Sequence, residues 1–432
     1  MRLLSNEFAA RDGEVVEGAG WVHALRNVKK LFFVVVRDRA GKVQLVAKTP
    51  TAIQACTSLG LEDVIAFKGT AKKNAAVKMG GVEIEVDSIQ VLSKAAAPLP
   101  VDVAGKTDTN FEHRFDHRTI DLRRDDPQKI FRVRHTLCSA FRDFLSEQGF
   151  LEIHTPKIIA TGTEGGTSLF PVTYFEKQAF LAQSPQFYKQ MLVGAGFERV
   201  FEIAPVFRAE EHNTPYHLNE YVSLDLEMGF IKDEYDVMKV CEQFFAYAAK
   251  RVNEENHAEL DHFNASLELP KTPFPVIRYW ELPKIFESYG KNFDANDDLT
   301  REHEALIGRW ALEKHNSRFV FVDNYPSDHR PAYTMPLEEN KAFTRGYDLL
   351  FDGMEIVTGG QRIHDAALLE KRFRAKGFDP AKFEFYFEVF KYGMPPHGGQ
   401  AIGLERLTAR ILGIQNVREA AFFPRDRTRV TP

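Results

Sequence analysis

The 432-residue chain is poor in cysteine, contains no long apolar run and carries no excess of basic residues. Its cysteines, Cys56, Cys138 and Cys241, lie far apart without a C-x-x-C pair, so we expect neither a disulfide framework nor a cysteine zinc site. No stretch approaches the roughly 18 apolar residues of a membrane span, and the start M-R-L-L-S-N-E-F lacks the apolar segment of a signal peptide. We therefore expect a cytoplasmic protein.

The formal net charge of −5 argues against indiscriminate binding of nucleic acid. A protein that binds by neutralising phosphates usually has a basic excess, so any contact with RNA is expected from local patches. Hydrophobic residues make up 44% of the chain and charged residues 27%, which is typical of a globular protein. The length predicts two to three domains.

The first 95 residues have the pattern of an all-β domain. Short runs rich in β-branched residues, such as L-F-F-V-V-V-R-D and K-V-Q-L-V-A, are separated by turn signals such as Arg39 to Lys42. About five strands fit a small closed barrel of the oligonucleotide-binding (OB) type, whose face can stack and read unpaired bases. We assign residues 1–95 to this barrel.

Residues 96–128 are rich in proline and mixed charges and are expected to form a hinge or linker. An amphipathic helix is predicted from Ile130 to Gln148 because apolar residues recur there at helical spacing. Gly149 ends it, and the segment L-E-I-H-T-P predicts a strand. Strands and helices then alternate, so we expect an α+β catalytic domain over residues 129–432, with helices flanking a sheet.

The stretch 207–230 places charged residues between two runs of apolar alternation. This pattern predicts two strands joined by a charged loop, with Arg208 at the end of the first strand. A guanidinium group is planar, permanently charged and matches two phosphate oxygens at once. The loop contains Glu210 and His217, and a second arginine, Arg406, follows the run G-G-Q-A-I-G-L-E. These residues suit a polyphosphate site, although F-R-A-E alone is equally typical of an exposed strand end.

Asp348 and Glu355 lie in Y-D-L-L-F-D-G-M-E-I-V-T, which predicts a hairpin turning at Asp352 and Gly353. The hairpin lets both carboxylates converge at one end of a sheet. Magnesium prefers oxygen ligands and keeps several waters, so one or two carboxylates suffice to bind it. Considered alone, these residues are also explained as charges at the edge of a hairpin.

Three segments, in order, resemble motifs 1, 2 and 3 of the class II aminoacyl-tRNA synthetases: G-F-L-E-I-H-T-P, the stretch 207–230, and G-G-Q-A-I-G-L-E-R-L-T. The chain is similar over nearly its whole length to the aspartate subgroup of the compact, archaeal-like type. The resemblance implies a mostly antiparallel sheet, ATP-dependent formation of aspartyl-adenylate, transfer of aspartate to tRNA(Asp), a requirement for Mg²⁺, and a homodimer joined through motif 1, which ends at Pro156.

The resemblance also implies roles for individual residues. Arg208 and Arg406 are the expected catalytic residues, and the expected ATP contacts are Arg208, Glu210, His217, Tyr221, Glu355 and Arg406. The expected metal ligands are Asp348, Glu355 and Thr358. Aspartate is expected to contact Glu164, Ser184, Gln186, Lys189 and Arg362, with the two cations taking its side-chain carboxylate.

In the barrel, Arg26, Phe33 and Gln44 match positions that read the anticodon in the family. Strict members carry a tryptophan and a lysine where this chain has His23 and Met79, so little is left to distinguish cytosine from uracil. This difference predicts that tRNA(Asn) is charged as well, which would require a separate amidotransferase partner. Two alternatives are an asparagine-specific relative, disfavoured by Lys189, and a non-catalytic RNA-binding paralogue.

Overall fold

The computed structural model describes residues 2–162, 168–211 and 214–432. It divides into two compact units, residues 1–125 and 126–432. In the described ranges, no helix is both long and apolar enough to cross a membrane. Glu164, an expected aspartate contact, lies outside the described residues.

The first unit contains a closed five-stranded barrel with the strand order β1-β2-β3-β5-β4. Its strands are β1 (Val15–Val28), β2 (Leu31–Arg37), β3 (Lys42–Ala47), β4 (Val64–Lys73) and β5 (Val82–Ser93), and helix α1 (Pro50–Thr57) joins β3 to β4. In β2, Phe32, Val34 and Val36 are buried, whereas Leu31, Phe33 and Val35 are half-exposed. This period of two places one face in the barrel core and the other outside. The predicted barrel is confirmed.

Two short helices, α2 (Phe111–Asp116) and α3 (Arg118–Asp121), follow the barrel within the first unit. Helix α4 runs from Asp125 to Glu147, so it begins before the predicted start at Ile130. Pro127 is compatible with this early start because proline is tolerated in the first helical turn. Asp125 and Asp126 also favour a helix N-terminus because their charge complements the helix dipole.

The second unit is built on an eight-stranded sheet with the order β12-β13-β14-β15-β16-β11-β10-β6, beside a small sheet of order β7-β9-β8. Its strands are β6 (Leu151–Glu152), β7 (Ile158–Ile159), β8 (Pro171–Tyr174), β9 (Lys177–Leu181), β10 (Arg199–Phe207), β11 (Glu220–Gly229), β12 (Val276–Arg278), β13 (Phe319–Asp323), β14 (Gly346–Phe351), β15 (Met354–Arg362) and β16 (His397–Gly403). Only the β6/β10 and β12/β13 pairs of the large sheet are parallel, so the predicted antiparallel character is confirmed.

The remaining helices are α5 (Gln186–Leu192), α6 (Glu234–Glu255), α7 (His257–His262), α8 (Leu282–Ser288), α9 (Arg301–His315), α10 (Ala366–Ala375), α11 (Glu384–Lys391) and α12 (Leu404–Leu412). Helices α4 and α6 pack together on the sheet: the Phe141 ring lies 5.1 Å from Phe244 of α6 and 5.8 Å from Phe201 of β10. Leu224 and Leu226 of β11 belong to the same apolar core. The intervening polar residues of β11 therefore face the opposite side of the sheet.

The hairpin β14–β15 turns at Asp352 and Gly353, as predicted, and both residues have positive φ values of 47° and 69°. A Cβ on Gly353 would lie 2.8 Å from the Ala305 Cα of helix α9, so only glycine allows this close contact. The hairpin places Asp348 directly opposite Thr358.

Candidate active site

A cavity of about 580 Å³ lies in the second unit, on the face of the sheet to which Ser223 and Asp225 point. It gathers most of the site residues predicted from the sequence. These are Ser184, Gln186, Lys189, Arg208, Glu210, His217, Tyr221, Glu355, Thr358, Arg362 and Arg406. The cavity is large enough for a nucleotide together with a small amino acid.

One end of the cavity carries the two arginines expected to contact phosphate. Arg208 directly follows β10, and Asn219 fixes its backbone: the Arg208 N–H donates to the Asn219 carbonyl at 2.8 Å, and Asn219 Nδ2 donates to the Arg208 carbonyl at 2.7 Å. The guanidinium of Arg208 lies 5.7 Å from the centre of the Tyr221 ring. His217 lies 3.7 Å from the carboxylate of Glu210. The predicted strand pair thus places these groups together at the cavity.

Arg406 reaches the same end of the cavity from helix α12, which begins just after Gly403. Its Nη1 lies 3.8 Å from Glu355 Oε1, and its Nε donates to the Tyr216 carbonyl at 3.4 Å. Arg406 therefore lies between the arginine end of the cavity and the carboxylates of the β14–β15 hairpin.

Glu355 and Thr358 line the cavity, and the Thr358 hydroxyl donates to Glu355 Oε1 at 2.9 Å. Asp348 is buried, and its Oδ2 lies 2.8 Å from Arg330 Nη2. Burial raises the pKa of Asp348; Arg330 opposes this shift and the negative charge of Glu355 adds to it. Asp348 and Glu355 are therefore close enough to repel each other.

A divalent cation would relieve that repulsion, because two carboxylates and a hydroxyl are hard oxygen ligands. The Asp348 carboxylate is also hydrogen-bonded by Tyr325 and paired with Arg330, so a cation would bind a carboxylate that the protein already holds in place. Within the described ranges, no group of three or more His, Cys, Asp or Glu side chains forms a metal site. The residues present fit Mg²⁺, which needs few protein ligands, better than a metal that requires a closed protein cage.

The other end of the cavity holds a buried network of two cations and two carboxylates. Lys189 Nζ lies 3.0 Å from Asp225 Oδ1 and 3.3 Å from Glu227 Oε2. Arg362 Nε donates to Glu227 Oε1 at 3.1 Å, and Arg362 Nη2 donates to the Gly399 carbonyl at 2.9 Å. Although burial opposes it, the charges of Arg362 and Lys189 hold the pKa of Glu227 below its ordinary value. The two expected carboxylate-binding cations are thus fixed in place by carboxylates of the protein.

Two glycines, Gly399 and Gly359, are closely packed near this end, and Gly359 lines the cavity. A Cβ on Gly399 would collide with the Glu227 carboxylate, and one on Gly359 would lie 2.5 Å from the Tyr347 ring. Backbone and neighbouring side chains therefore fill the space that a side chain would need at these positions.

The sequence interpretation missed Asp225, Glu227 and Arg330. The pattern S-L-D-L-E in β11 contained a signal, because acidic residues two apart in an otherwise apolar strand must share one face. Such a pair is costly to bury unless cations accompany it. Arg330 lies in an irregular segment, where the spacing of apolar residues does not indicate which way a side chain points.

In the barrel, the predicted anticodon residues share the outward face. Arg26 is paired across strands with Phe33, and Gln44 is paired with Val35, the next outward residue of β2. Gln44 Nε2 donates to Glu83 at 3.4 Å. His23 lies at a bulge in β1, and its Nδ1 is 3.3 Å from Arg37 Nη1. Met79 is half-buried in the loop between β4 and β5.

Residues 110–427 match the family model for class II tRNA synthetases (D, K and N), and residues 16–92 match that for the OB-fold nucleic acid binding domain. The chain therefore belongs to the class II tRNA synthetases; it is an aminoacyl-tRNA ligase, and ATP is a substrate of this class. These matches confirm the resemblance of the sequence motifs.

Among its relatives, the chain is 45% identical to the aspartate-tRNA(Asp) ligase of Thermococcus kodakarensis and 46% identical to the aspartate-tRNA(Asp/Asn) ligase of Methanopyrus kandleri, with 98% of this chain and 97% of each relative covered. The solved structure of asparaginyl-tRNA synthetase from Pyrococcus horikoshii, complexed with asparaginyl-adenylate, matches with a TM-score of 0.93 and 31% identity over 100% of both chains. Aspartyl tRNA synthetase from Entamoeba histolytica matches with a TM-score of 0.89 and 32% identity, over 100% of this chain and 93% of that one.

Proposed function

We propose that the chain activates L-aspartate with ATP to form aspartyl-adenylate and transfers the aspartyl group to tRNA(Asp). One observation carries the proposal: a single cavity is lined by Arg208 and Arg406, which lie beside Tyr221, and by Lys189 and Arg362, which both contact Glu227. The first pair suits a polyphosphate, and the second suits a carboxylate. The aspartate specificity of the relatives at 45–46% identity supports the same assignment.

In the proposed reaction, a carboxylate oxygen of aspartate attacks the α-phosphorus of ATP while the bond to pyrophosphate breaks. The protein contributes mainly position and charge, because no covalent intermediate with the enzyme is needed. Arg208 contacts the α-phosphate and stabilises the negative charge that develops there. Tyr221 and Arg406 hold the adenine between them, and Glu210 and His217 complete the nucleotide site.

We propose that Asp348, Glu355 and Thr358 hold Mg²⁺ beside the phosphates. The ion would neutralise charge on the leaving pyrophosphate. The residues themselves orient the site: Thr358 fixes one oxygen of Glu355 by its 2.9 Å hydrogen bond. Arg330 compensates the charge of buried Asp348 at 2.8 Å, which keeps this carboxylate in place when no metal is bound.

Arg362 is proposed to bind the side-chain carboxylate of aspartate, with Lys189 adding positive potential. Asparagine has equal size but no charge, so discrimination must come from charge pairing. An amide would leave these desolvated cations less well compensated, at a cost on the order of several kcal/mol. Ser184 and Gln186 line this end of the cavity, and Glu164 is proposed to meet the substrate ammonium.

A second candidate is asparagine activation, because the matched structure with a TM-score of 0.93 is an asparaginyl-tRNA synthetase complexed with asparaginyl-adenylate. The buried Lys189 favours aspartate, since a neutral amide gains little from a nearby cation. Retention of both phosphate-end arginines and of Asp348 and Glu355 favours an enzyme over a non-catalytic RNA-binding paralogue.

We further propose that the barrel reads the anticodon through Arg26, Phe33 and Gln44. Phe33 offers a stacking face and Gln44 a donor and acceptor for a base edge. With His23 and Met79 in place of a stacking tryptophan and a donating lysine, the chain is proposed to charge tRNA(Asn) as well as tRNA(Asp). The mischarged product would then need an amidotransferase partner. We also propose a cytoplasmic homodimer that associates through the motif 1 segment.

The test is ATP–pyrophosphate exchange with aspartate, asparagine and lysine. Aspartate should be the preferred amino acid, and Arg208→Ala should lower the exchange rate at least about a hundredfold, as expected for loss of one preorganised charge-stabilising donor. Arg199→Ala is the matched control, because Arg199 begins the same strand and donates to the Gln148 carbonyl at 3.0 Å. Exchange within a few-fold of the parent in Arg208→Ala would refute its role, and a preference for asparagine would refute the substrate.

A further inference from the structure

A chain of buried hydrogen bonds runs behind the carboxylate end of the cavity. Gln186 and Gln190 lie one turn apart on α5, and Gln186 Nε2 donates to Gln190 Oε1 at 2.9 Å. Gln190 Nε2 lies 2.8 Å from His397 Nε2, and the Tyr386 hydroxyl donates to Gln190 Oε1 at 3.0 Å. Gln190, Tyr386 and His397 are fully buried. These three residues therefore have no contact with bulk solvent.

The direction in which each of these hydrogen bonds is donated is fixed at His397. Its Nδ1 lies 2.9 Å from the Pro395 carbonyl, which only accepts, so Nδ1 must carry the proton. Burial lowers the pKa of His397 to about 4, so the ring is neutral at physiological pH and Nε2 is an acceptor. Gln190 must then present its amide nitrogen to His397 and its oxygen to the opposite side.

The fixed orientation of Gln190 determines that of Gln186. Because Gln190 offers an oxygen, Gln186 must donate its Nε2 to it, and the Gln186 oxygen then faces Arg362 Nη2 at 3.4 Å. A flipped Gln186 amide would bring its NH₂ group against a guanidinium, which has only donors. The opposite orientation therefore replaces an attractive contact with a repulsive one.

We propose that Gln190 and Tyr386 are positioning residues for amino-acid recognition: they orient the Gln186 amide, which holds Arg362 in the geometry that binds the substrate carboxylate. This inference rests on the proposed role of Arg362 in aspartate binding. Arg362 has its Nε on Glu227 and its Nη2 on the Gly399 carbonyl, so the Gln186 oxygen supplies a third restraint at the side of the cavity. Neither Gln190 nor Tyr386 needs to touch the substrate.

The test uses the full-length chain with Gln190→Met, which keeps the length of the side chain and removes both hydrogen-bonding groups. Loss of the orienting bond should raise the KM for aspartate about five- to tenfold, as expected for about one net hydrogen bond, and should reduce the preference for aspartate over asparagine. The KM for ATP should stay within about twofold. Tyr386→Phe removes one donor to the Gln190 oxygen but leaves that oxygen facing Gln186, so it should raise the KM for aspartate by a smaller factor, about two- to threefold.

Phe387→Leu is the control, because Phe387 packs on the same helix as Tyr386 and takes no part in the chain of hydrogen bonds. An unchanged KM for aspartate in folded Gln190→Met, or equal increases in KM for aspartate and ATP, would overturn the inference. Suppose that wild type activates aspartate and that Arg362→Leu abolishes this activity. An unchanged KM for aspartate in Gln190→Met then refutes only the positioning role. If wild type activates no aspartate, the proposed function itself fails.

A spectroscopic measurement of the His397 tautomer tests the direction of these hydrogen bonds even if Gln190→Met fails to fold. In ¹⁵N-histidine-labelled protein, the signal lost in His397→Gln identifies His397. Its chemical shifts should show the tautomer with the proton on Nδ1, unchanged down to about pH 5. A proton on Nε2 would reverse the Gln190 amide and overturn the inference.

Discussion

Removing the charge of Lys189 should destabilise the second unit strongly. The Lys189 side chain is 2% exposed and lies 3.0 Å from Asp225 and 3.3 Å from Glu227. It also donates to the carbonyls of Leu226 at 3.2 Å and Gln400 at 3.4 Å. Lys189→Met would leave buried Asp225 without its cation and Glu227 with Arg362 alone, and breaking a buried pair costs about 3–5 kcal/mol of the free energy of unfolding. The double variant Lys189→Met/Asp225→Asn should recover about 1–3 kcal/mol of this loss, because it removes one uncompensated charge.

Urea unfolding in a Trp21→Phe background measures this cost. The remaining tryptophans, Trp280 and Trp310, both lie in the second unit, so their fluorescence reports on that unit alone. Lys250→Met is the control: Lys250 forms an exposed pair with Glu254 at 4.0 Å on α6 and should change stability by less than about 0.5 kcal/mol. A loss below about 1 kcal/mol in Lys189→Met, or no recovery in the double variant, would refute the reasoning.

Arg362→Leu should lower kcat/KM for aspartate at least about a hundredfold, while the Kd for ATP, measured by calorimetry, stays within about threefold. Equal losses for both ligands would indicate that Arg362 forms a purely structural ion pair. Burial, reinforced by Glu234, raises the pKa of Asp323 to about 6, so the stability supplied by its neutral form is lost as pH rises from about 4 to about 6. Asp323→Asn should therefore gain about 2–3 kcal/mol at pH 7.5 and nothing below pH 4 in urea unfolding, whereas a pH-independent difference would contradict the assignment. In aminoacylation assays, wild type should prefer tRNA(Asp) over tRNA(Asn) less than about a hundredfold, and His23→Trp/Met79→Lys should increase that preference; a stricter wild type would refute relaxed charging.

Much of the fold was predictable because the signals were local. The period-two alternation in β2, the turn at Asp352 and Gly353, and the strand pair that ends at Phe207 and resumes at Glu220 all follow from neighbouring residues. The start of α4 was predicted too late, because apolar periodicity begins only at Ile130 although the preceding acidic residues and Pro127 already form the first turn.

The sequence identified most residues of the site but not which of them contact one another. Sequence motifs identified Lys189 and Arg362 as cations but gave no indication that Glu227 of β11 contacts both. Such contacts join residues that are far apart in the chain and depend on strand order, which periodicity does not encode. The ion pair between Arg330 and Asp348 likewise joins an irregular segment to β14 and could not be predicted from periodicity.

The glycines beside Glu227 and Tyr347 limit how this pocket can change. Where the wall is backbone, no side chain can be trimmed to make room for a larger amino acid, and any addition collides with the neighbouring strand or ring. Substitution of these glycines can therefore not deepen this part of the pocket. A variant selected for a bulkier substrate would have to gain its space from lining side chains outside the charged network, such as Phe187 of α5 and Tyr333 of the segment 328–334. Libraries built on those two segments, with the glycines kept, are the practical route to altered amino-acid specificity.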